Sequence, residues 1–327
     1  MRYLSANATI ISLAAAFVIV AASSMPVRPQ SAPSWSVPEI GTLPRDAHGL
    51  QVREGRDLIT AIYAYIGPNV PDAAKRYAGN NLACANCHLE AGTKKFGLPL
   101  FGLFGDFPQY SAQSGGEISI EDRINSCMTR SMNGRVLPND APEMQAIVAY
   151  IKFLSTGVAP GERLPGLGAG HMPELSRAAD PKRGQPIFAR FCATCHNTDG
   201  SGIRRGTAGT DLGYLNPPLW GADSFNDGAG MARIIMFANF IHFNMPHGTD
   251  YLDVRLSVEE AWDTAAFVLS RPHRAGLEHD FPDLLTKPVD APYGPYFDKF
   301  SEQQHKYGPF APIRAAIARL KQGSRAH

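Results

Sequence analysis

The chain has 327 residues, of which 44% are hydrophobic and 19% charged, enough to bury a core in each of two domains. Its 31 Lys and Arg offset 30 Asp and Glu, giving a formal charge of +1. No basic run is spaced to follow a phosphate backbone, so nucleic-acid binding and general attraction to a membrane surface are excluded.

In chain order, residues 1–24 read as a secretory signal peptide, with Arg2 ahead of an uncharged apolar stretch from Ala8 to Ala22 and small residues at Ala22, Ser23 and Ser24. The stretch is short for a membrane-spanning helix of about 20 residues, and an uncleaved anchor is the alternative reading. Export implies the periplasm, an oxidising compartment where spare thiols normally pair. Residues 25–44, rich in Pro and Ser, are expected to form a flexible linker.

The first half, 45–157, opens with GRDLITAIYAYIG, which has apolar residues at helical spacing, and reaches Cys84-Ala-Asn-Cys87-His88. The second half, 181–272, opens with Asp180-Pro181 as N-cap and first-turn proline of a helix through PIFARF, and reaches Cys192-Ala-Thr-Cys195-His196. C-x-x-C-H is the attachment signature of c-type haem. The cysteines form thioethers and the histidine ligates iron. Two copies therefore predict two covalent haem c groups, held by Cys84, Cys87, Cys192 and Cys195 with His88 and His196 on the irons.

Each half also closes with a helix. Asp140 and Glu143 suggest a start for EMQAIVAYIKFLS, and Ser257 with Glu260 forms a capping box ahead of EEAWDTAAFVLS. Gly- and Pro-rich loops are expected between opening and closing helices, and 158–180 reads as a linker between domains. This order resembles the class I cytochrome c fold: all-α, two tandem domains with one haem each. The tail, 273–327, is aromatic around APYGPYFDKF and is expected to pack across the domain surface.

Each iron needs a sixth ligand. In the second half the thioether candidates are Met231, Met236 and Met245; Met245, within HFNMPHG, is preferred, with His242, His247 and Met231 as the main alternatives. In the first half the candidates are Met128, Met132, Met144 and Cys127. Of the five cysteines, Cys127 is the one outside both haem motifs. It lies in SIEDRINSCMTRSMNG, which reads as a helix capped at Ser119 and Asp122 and stopped at Asn133-Gly134. On that helix Arg123, Cys127 and Ser131 share one face at i, i+4 and i+8, with Arg130 nearby. The plain reading is a buried cysteine acting as a small hydrophobe. The functional one is a thiolate favoured by its arginine neighbours.

RINSCMTRSMNG, NPPLWGADSFNDGAGM, FANFIHFNMP and DAPYGPYFDKFSEQQHKYGPF resemble the dihaem thiosulfate dehydrogenase family, with a likeness running from about residue 53 to 313. The resemblance implies oxidation of two thiosulfate ions to tetrathionate at a first haem ligated by His88 and Cys127. Electrons would leave through a second haem ligated by His196 and Met245, to an external acceptor such as a cytochrome c or a high-potential iron-sulfur protein. It places Arg123 and Ser131 near the substrate. Two departures stand out. Where some members have lysine before the second methionine, this chain has Asn244, which implies plain His/Met ligation. Where the family often has a second arginine, fourteen residues before the cysteine, it has Gln113, with Lys94, Lys95 or Arg130 as substitutes for the charge. The competing readings are a dihaem electron carrier, a Sox-type cytochrome subunit acting on carrier-bound thiosulfate, and a dihaem peroxidase.

Overall fold

The computed structural model describes residues 35–206, 213–276 and 280–323. The expected signal peptide at 1–24 and the linker up to residue 34 lie outside the described residues. The first half contains α1 (Ala47–Ile66), the single turn α2 (Leu89–Gly92) behind the haem motif, a hairpin of β1 (Gln109–Ser111) and β2 (Gly116–Ile118), α3 (Ile120–Arg130) and α4 (Pro142–Leu154). The second half contains α5 (Pro181–Phe191), α6 (Ala193–His196), the antiparallel pair β3 (Ile203–Arg204) and β4 (Tyr214–Asn216), α7 (Ile234–Asn244) and α8 (Val258–Leu269). The tail adds α9 (Glu302–Tyr307) and α10 (Ala311–Gly323). Two tandem, predominantly helical halves with two small ladders result.

Local chemistry explains most helix ends. Asp46 accepts from Gly49 N at 2.8 Å, starting α1 eight residues before the segment that periodicity singles out. Ser119 with Asp122, and Ser257 with Glu260, form reciprocal capping boxes on α3 and α8, and Asp180 caps α5. At α4 the expectation is corrected: Ala141 is the N-cap, and Pro142 in the first turn rather than a side-chain cap begins the helix. The helix α7 breaks the expectation of loops between the terminal helices. IIMFANFIHFN is buried nearly all round, so it carries no polar face and no visible 3.6-residue period.

Each half is closed by a crossing of its first and last long helix. At Gly55 an added Cβ would lie 2.0 Å from Ala146 O on α4, and at Gly184 it would lie 1.9 Å from Asp263 O on α8. Glycine at these two points lets backbone touch backbone, and the apolar faces converge behind the haem motifs. One core contains Val52, Leu58, Ile62, Met144, Ile147 and Ile151, the other Phe188, Ile234, Trp262, Ala265 and Phe267.

The segments expected as linkers and surface tail are packed. Trp35 stacks on Phe101 at 4.2 Å and donates to Pro165 O at 2.6 Å, fixing residues 35–44 that the composition marks as flexible. Phe96 N and Leu98 N donate to Gly166 O and Gly168 O, and Arg177 reaches Asp263, so the stretch 158–180 lies along both domains. From the tail, Val289, Tyr307, Phe310 and Ile313 enter the second core, each worth roughly 1.5–3 kcal/mol on full burial. Among the described residues no helix is long and apolar enough to cross a membrane.

The helix crossing makes a direct prediction. Gly184→Ala should push α5 off α8 and destabilise the protein by about 1–3 kcal/mol, read as a lower thermal midpoint by circular dichroism of the haem-loaded protein. An unchanged midpoint would remove the crossing from its proposed role in stability.

Candidate haem centres and substrate cavity

In both halves the C-x-x-C-H turn presents its histidine in the same way. His88 Nδ1 lies 2.7 Å from Leu98 O, and His196 Nδ1 lies 2.8 Å from Pro217 O. A carbonyl only accepts, so each ring carries its proton on Nδ1 and keeps the Nε2 lone pair for a metal. The attachment thiols sit in apolar walls. Burial, and secondarily the sulfur of Cys127, pushes Cys84 and Cys87 up to about 12, and burial with Cys195 does the same to Cys192.

The helix α3 brings Cys127 to the first centre. Arg123 Nη1 donates to Cys127 Sγ at 3.4 Å, and the His88 ring is within hydrogen-bonding reach of the same sulfur. Burial acts to raise the thiol, but Arg123, the His88 ring while it carries a second proton on Nε2 and no metal, and Arg130 outweigh it and bring Cys127 down to about 6. His88 and Cys127 face each other across an apolar slot lined by Ile59, Ile62, Leu82, Leu100, Ile147 and Ile151, with Cys84 and Cys87 on its wall. An imidazole and a thiolate opposed in an apolar slot, with two neutral thiols at its edge, fit a covalently attached haem. Met128 and Met132 line the slot as buried apolar groups, and Met144 is in the helix core. Ser131 is the C-cap of α3, one turn beyond Cys127, where it lines both the slot and the larger cavity beside it.

In the second half, Met245 is the C-cap of α7 and packs against the core that also holds Cys192 and Phe191. Of the alternatives, His242 is buried, with burial lowering its pKa, His247 is exposed, and Met231 faces the larger cavity of the first half. Asn244 is buried, and its Nδ2 donates to Phe96 O at 2.9 Å and to Phe240 O at 3.1 Å, so it ties α7 to the first domain.

The larger cavity opens from Cys127 and Arg123 and is walled by the β1–β2 hairpin, a loop of the second domain and the tail. Gln113 lies in it, inside a network centred on Asp280. The Asp280 carboxylate accepts from Arg130 through Nε at 3.0 Å and through Nη2, from Gln113 Nε2 at 2.8 Å and from Tyr293 OH at 3.1 Å. Burial and that carboxylate push Tyr293 well above the ordinary phenol range. The expectation that Arg130, Lys94 or Lys95 stands in for the missing arginine is corrected here. Arg130 gives its donors to Asp280 and to Ser126 Oγ at 3.0 Å. Lys94 donates to Thr249 O at 2.9 Å, and Lys95 stands 5.3 Å from the Trp35 ring, neither on the cavity wall. Sequence reading missed Asp280, Tyr293 and Arg233, which also line or support this cavity; they lie far along the chain in segments without helical period.

Comparison with known proteins finds a cytochrome c domain in each half. The SoxA/TsdA cytochrome c domain family matches residues 74–159, and the cytochrome c family matches 181–272. The chain is 42% identical to the thiosulfate dehydrogenase of Allochromatium vinosum over 72% of its own length and 83% of that protein. With the thiosulfate dehydrogenase of Stutzerimonas stutzeri it shares 38% identity over 71% of each chain. The solved structure of thiosulfate dehydrogenase (TsdBA) from Marichromatium purpuratum, in its "as isolated" form, superposes with a TM-score of 0.64 at 30% identity, covering 72% of this chain. This chain spans about half of that one, 49%.

The Asp280 network predicts a coupled loss. Asp280→Asn leaves the part-buried Arg130 without its counter-charge and should cost about 3–5 kcal/mol in urea unfolding. The double variant with Arg130→Gln should recover part of that, whereas strictly additive losses would mean that the two groups do not interact.

Proposed function

Because the chain belongs to the thiosulfate dehydrogenase family, we propose that it joins two thiosulfate ions into tetrathionate at Cys127. The observation that carries this reading is one sulfur with three roles available to it. Cys127 faces His88 across the apolar slot, receives a hydrogen bond from Arg123 at 3.4 Å and opens onto the larger cavity that Arg233 and Tyr293 also line. A second haem motif at Cys192–His196, with Met245 as its sixth ligand, supports an exit route to an external cytochrome c or high-potential iron-sulfur protein. The two haem groups, when bound by His88 with Cys127 and by His196 with Met245, supply the one-electron redox chemistry.

The protein's own groups do the rest. Two dianions about 4 Å apart repel by roughly 4 kcal/mol even in bulk water, so the site must supply cations and a covalent foothold. Arg123 offers a planar fork to sulfonate oxygens beside the sulfur it polarises. The Cys127 thiolate bonds to the sulfane sulfur of the first thiosulfate, two electrons leave, and a Cys–S–S–SO3− adduct remains. The sulfane sulfur of the second thiosulfate then attacks the sulfane sulfur of the adduct. Its electron pair forms the new S–S bond, the bond to Sγ breaks, and tetrathionate departs with the Cys127 thiolate restored. Ser131, one turn on, borders the same space. Export to the periplasm belongs to this proposal and rests on the signal read at 1–24.

Purified haem-loaded protein should reduce ferricyanide in a thiosulfate-dependent way and yield tetrathionate. Cys127→Gly should keep both haems attached and lose this activity, and Arg123→Gln should lower kcat by about 100-fold or more. Full activity in Cys127→Gly would end the proposed role, and wild-type protein inert to thiosulfate would favour a plain electron carrier. Met245→Gly should alter the spectrum of the second haem and slow delivery to the acceptor; an unchanged spectrum would assign the ligand elsewhere.

A further inference from the structure

The second thiosulfate must reach the adduct against the charge already there, and the cavity's cations differ in what they still have to give. Arg123 gives Nη1 to Cys127 and serves the first thiosulfate beside that sulfur. Arg130 spends Nε, Nη1 and Nη2 on Asp280 and Ser126. Arg233, from the second domain, lines the same cavity and is arranged differently. Its Nε donates to Asp290 Oδ1 at 3.0 Å, and the other oxygen of Asp290 accepts from Ile235 N at 3.0 Å. The Asp290 side chain is 1% exposed and that of Arg233 is 33% exposed, so the pair is anchored at its negative end and open at its positive end. Among the described residues, no protein acceptor takes Nη1 or Nη2.

We propose that Arg233 is a second sulfonate subsite, receiving the terminal –SO3− of the thiosulfate that arrives second and, after bond formation, one end of tetrathionate. The inference rests on the reading of Cys127 as the site of adduct formation. A guanidinium fixed through Nε presents its two terminal nitrogens as a fork that matches two oxygens of one sulfonate. Fixing it in advance lowers the entropy lost when the anion binds. It also explains how a chain with Gln113 in the cavity lining, and Arg130 tied down, still meets two dianions with two usable guanidinium groups, one from each domain. The tail supplies Asp290, so the subsite needs all three parts of the chain in place.

The same fork suits a haem propionate, which shares the oxyanion chemistry, and the test separates the two sources. Tetrathionate binding is measured by calorimetry on oxidised haem-loaded protein carrying Cys127→Gly, which lacks the thiolate that would react with the probe. Adding Arg233→Gln should raise Kd by about 10- to 100-fold, the scale of losing a charged hydrogen-bonded contact, and Arg233→Lys should fall between. An unchanged Kd in both variants overturns the subsite. Arg233→Gln in otherwise native protein should leave the haem spectra and reduction potentials as they were. Shifted potentials with an unchanged Kd would assign Arg233 to a propionate and overturn the proposal. Thiosulfate turnover by the wild type is scored separately. Arg233-dependent tetrathionate binding in a protein that does not turn over would uphold the subsite and sink the oxidation reading, while turnover with an Arg233-independent Kd would do the reverse.

Discussion

Two backbone-to-backbone crossings set the frame on which everything else is hung. Where α1 meets α4 at Gly55, and α5 meets α8 at Gly184, no side chain separates the helices. That closeness positions the apolar core behind each C-x-x-C-H turn, and in the second half the turn follows α5 directly at Cys192. In each half the histidine is held by a loop carbonyl, Leu98 O or Pro217 O, which sets the direction of the imidazole against that core. A shift of one helix against the other would be felt at the ring, since cores packed at crystal-like density transmit small displacements.

Upon this repeated frame the chain places three buried carboxylates that are not repeated. Asp263 accepts from Arg177 and from Asp180 N at 2.8 Å, Asp280 from Arg130, Gln113 and Tyr293, and Asp290 from Arg233 and Ile235 N. Such pairs contribute little net stability once desolvation is counted, but each is costly to break, so they act as register pins. They fasten the linker and the tail to the domains. The tail is thereby a wall of the cavity rather than a wrapping, and the cavity exists only when the last third of the chain has folded onto the first.

The chemistry concentrates at one sulfur because opposing effects meet there. Burial alone would hold Cys127 as a neutral thiol, as it does Cys84 and Cys87. Arg123 and His88, on different segments, reverse the sign and bring it to about 6. The same kind of side chain is therefore held neutral in the apolar wall and made anionic beside Arg123.

Much of this was legible in the residues. The two haem motifs, the caps at Ser119, Asp180 and Ser257, and the shared face of Arg123, Cys127 and Ser131 are local patterns, each decided within one or two helical turns. Short-range steric and hydrogen-bonding rules suffice for them, which is why they survive into the structure. What the sequence left open is long-range. The helix α7 was hidden because a helix buried on all sides has no polar stripe to give it a period. Arg130 looked like a substrate cation until Asp280, 150 residues on, took its charge. Arg233 looked like nothing in particular until the fold set it on the same cavity as Cys127. Which cations remain available depends on partners distant along the chain, and only tertiary packing, which brings carboxylates of the tail to arginines of both domains, decides that.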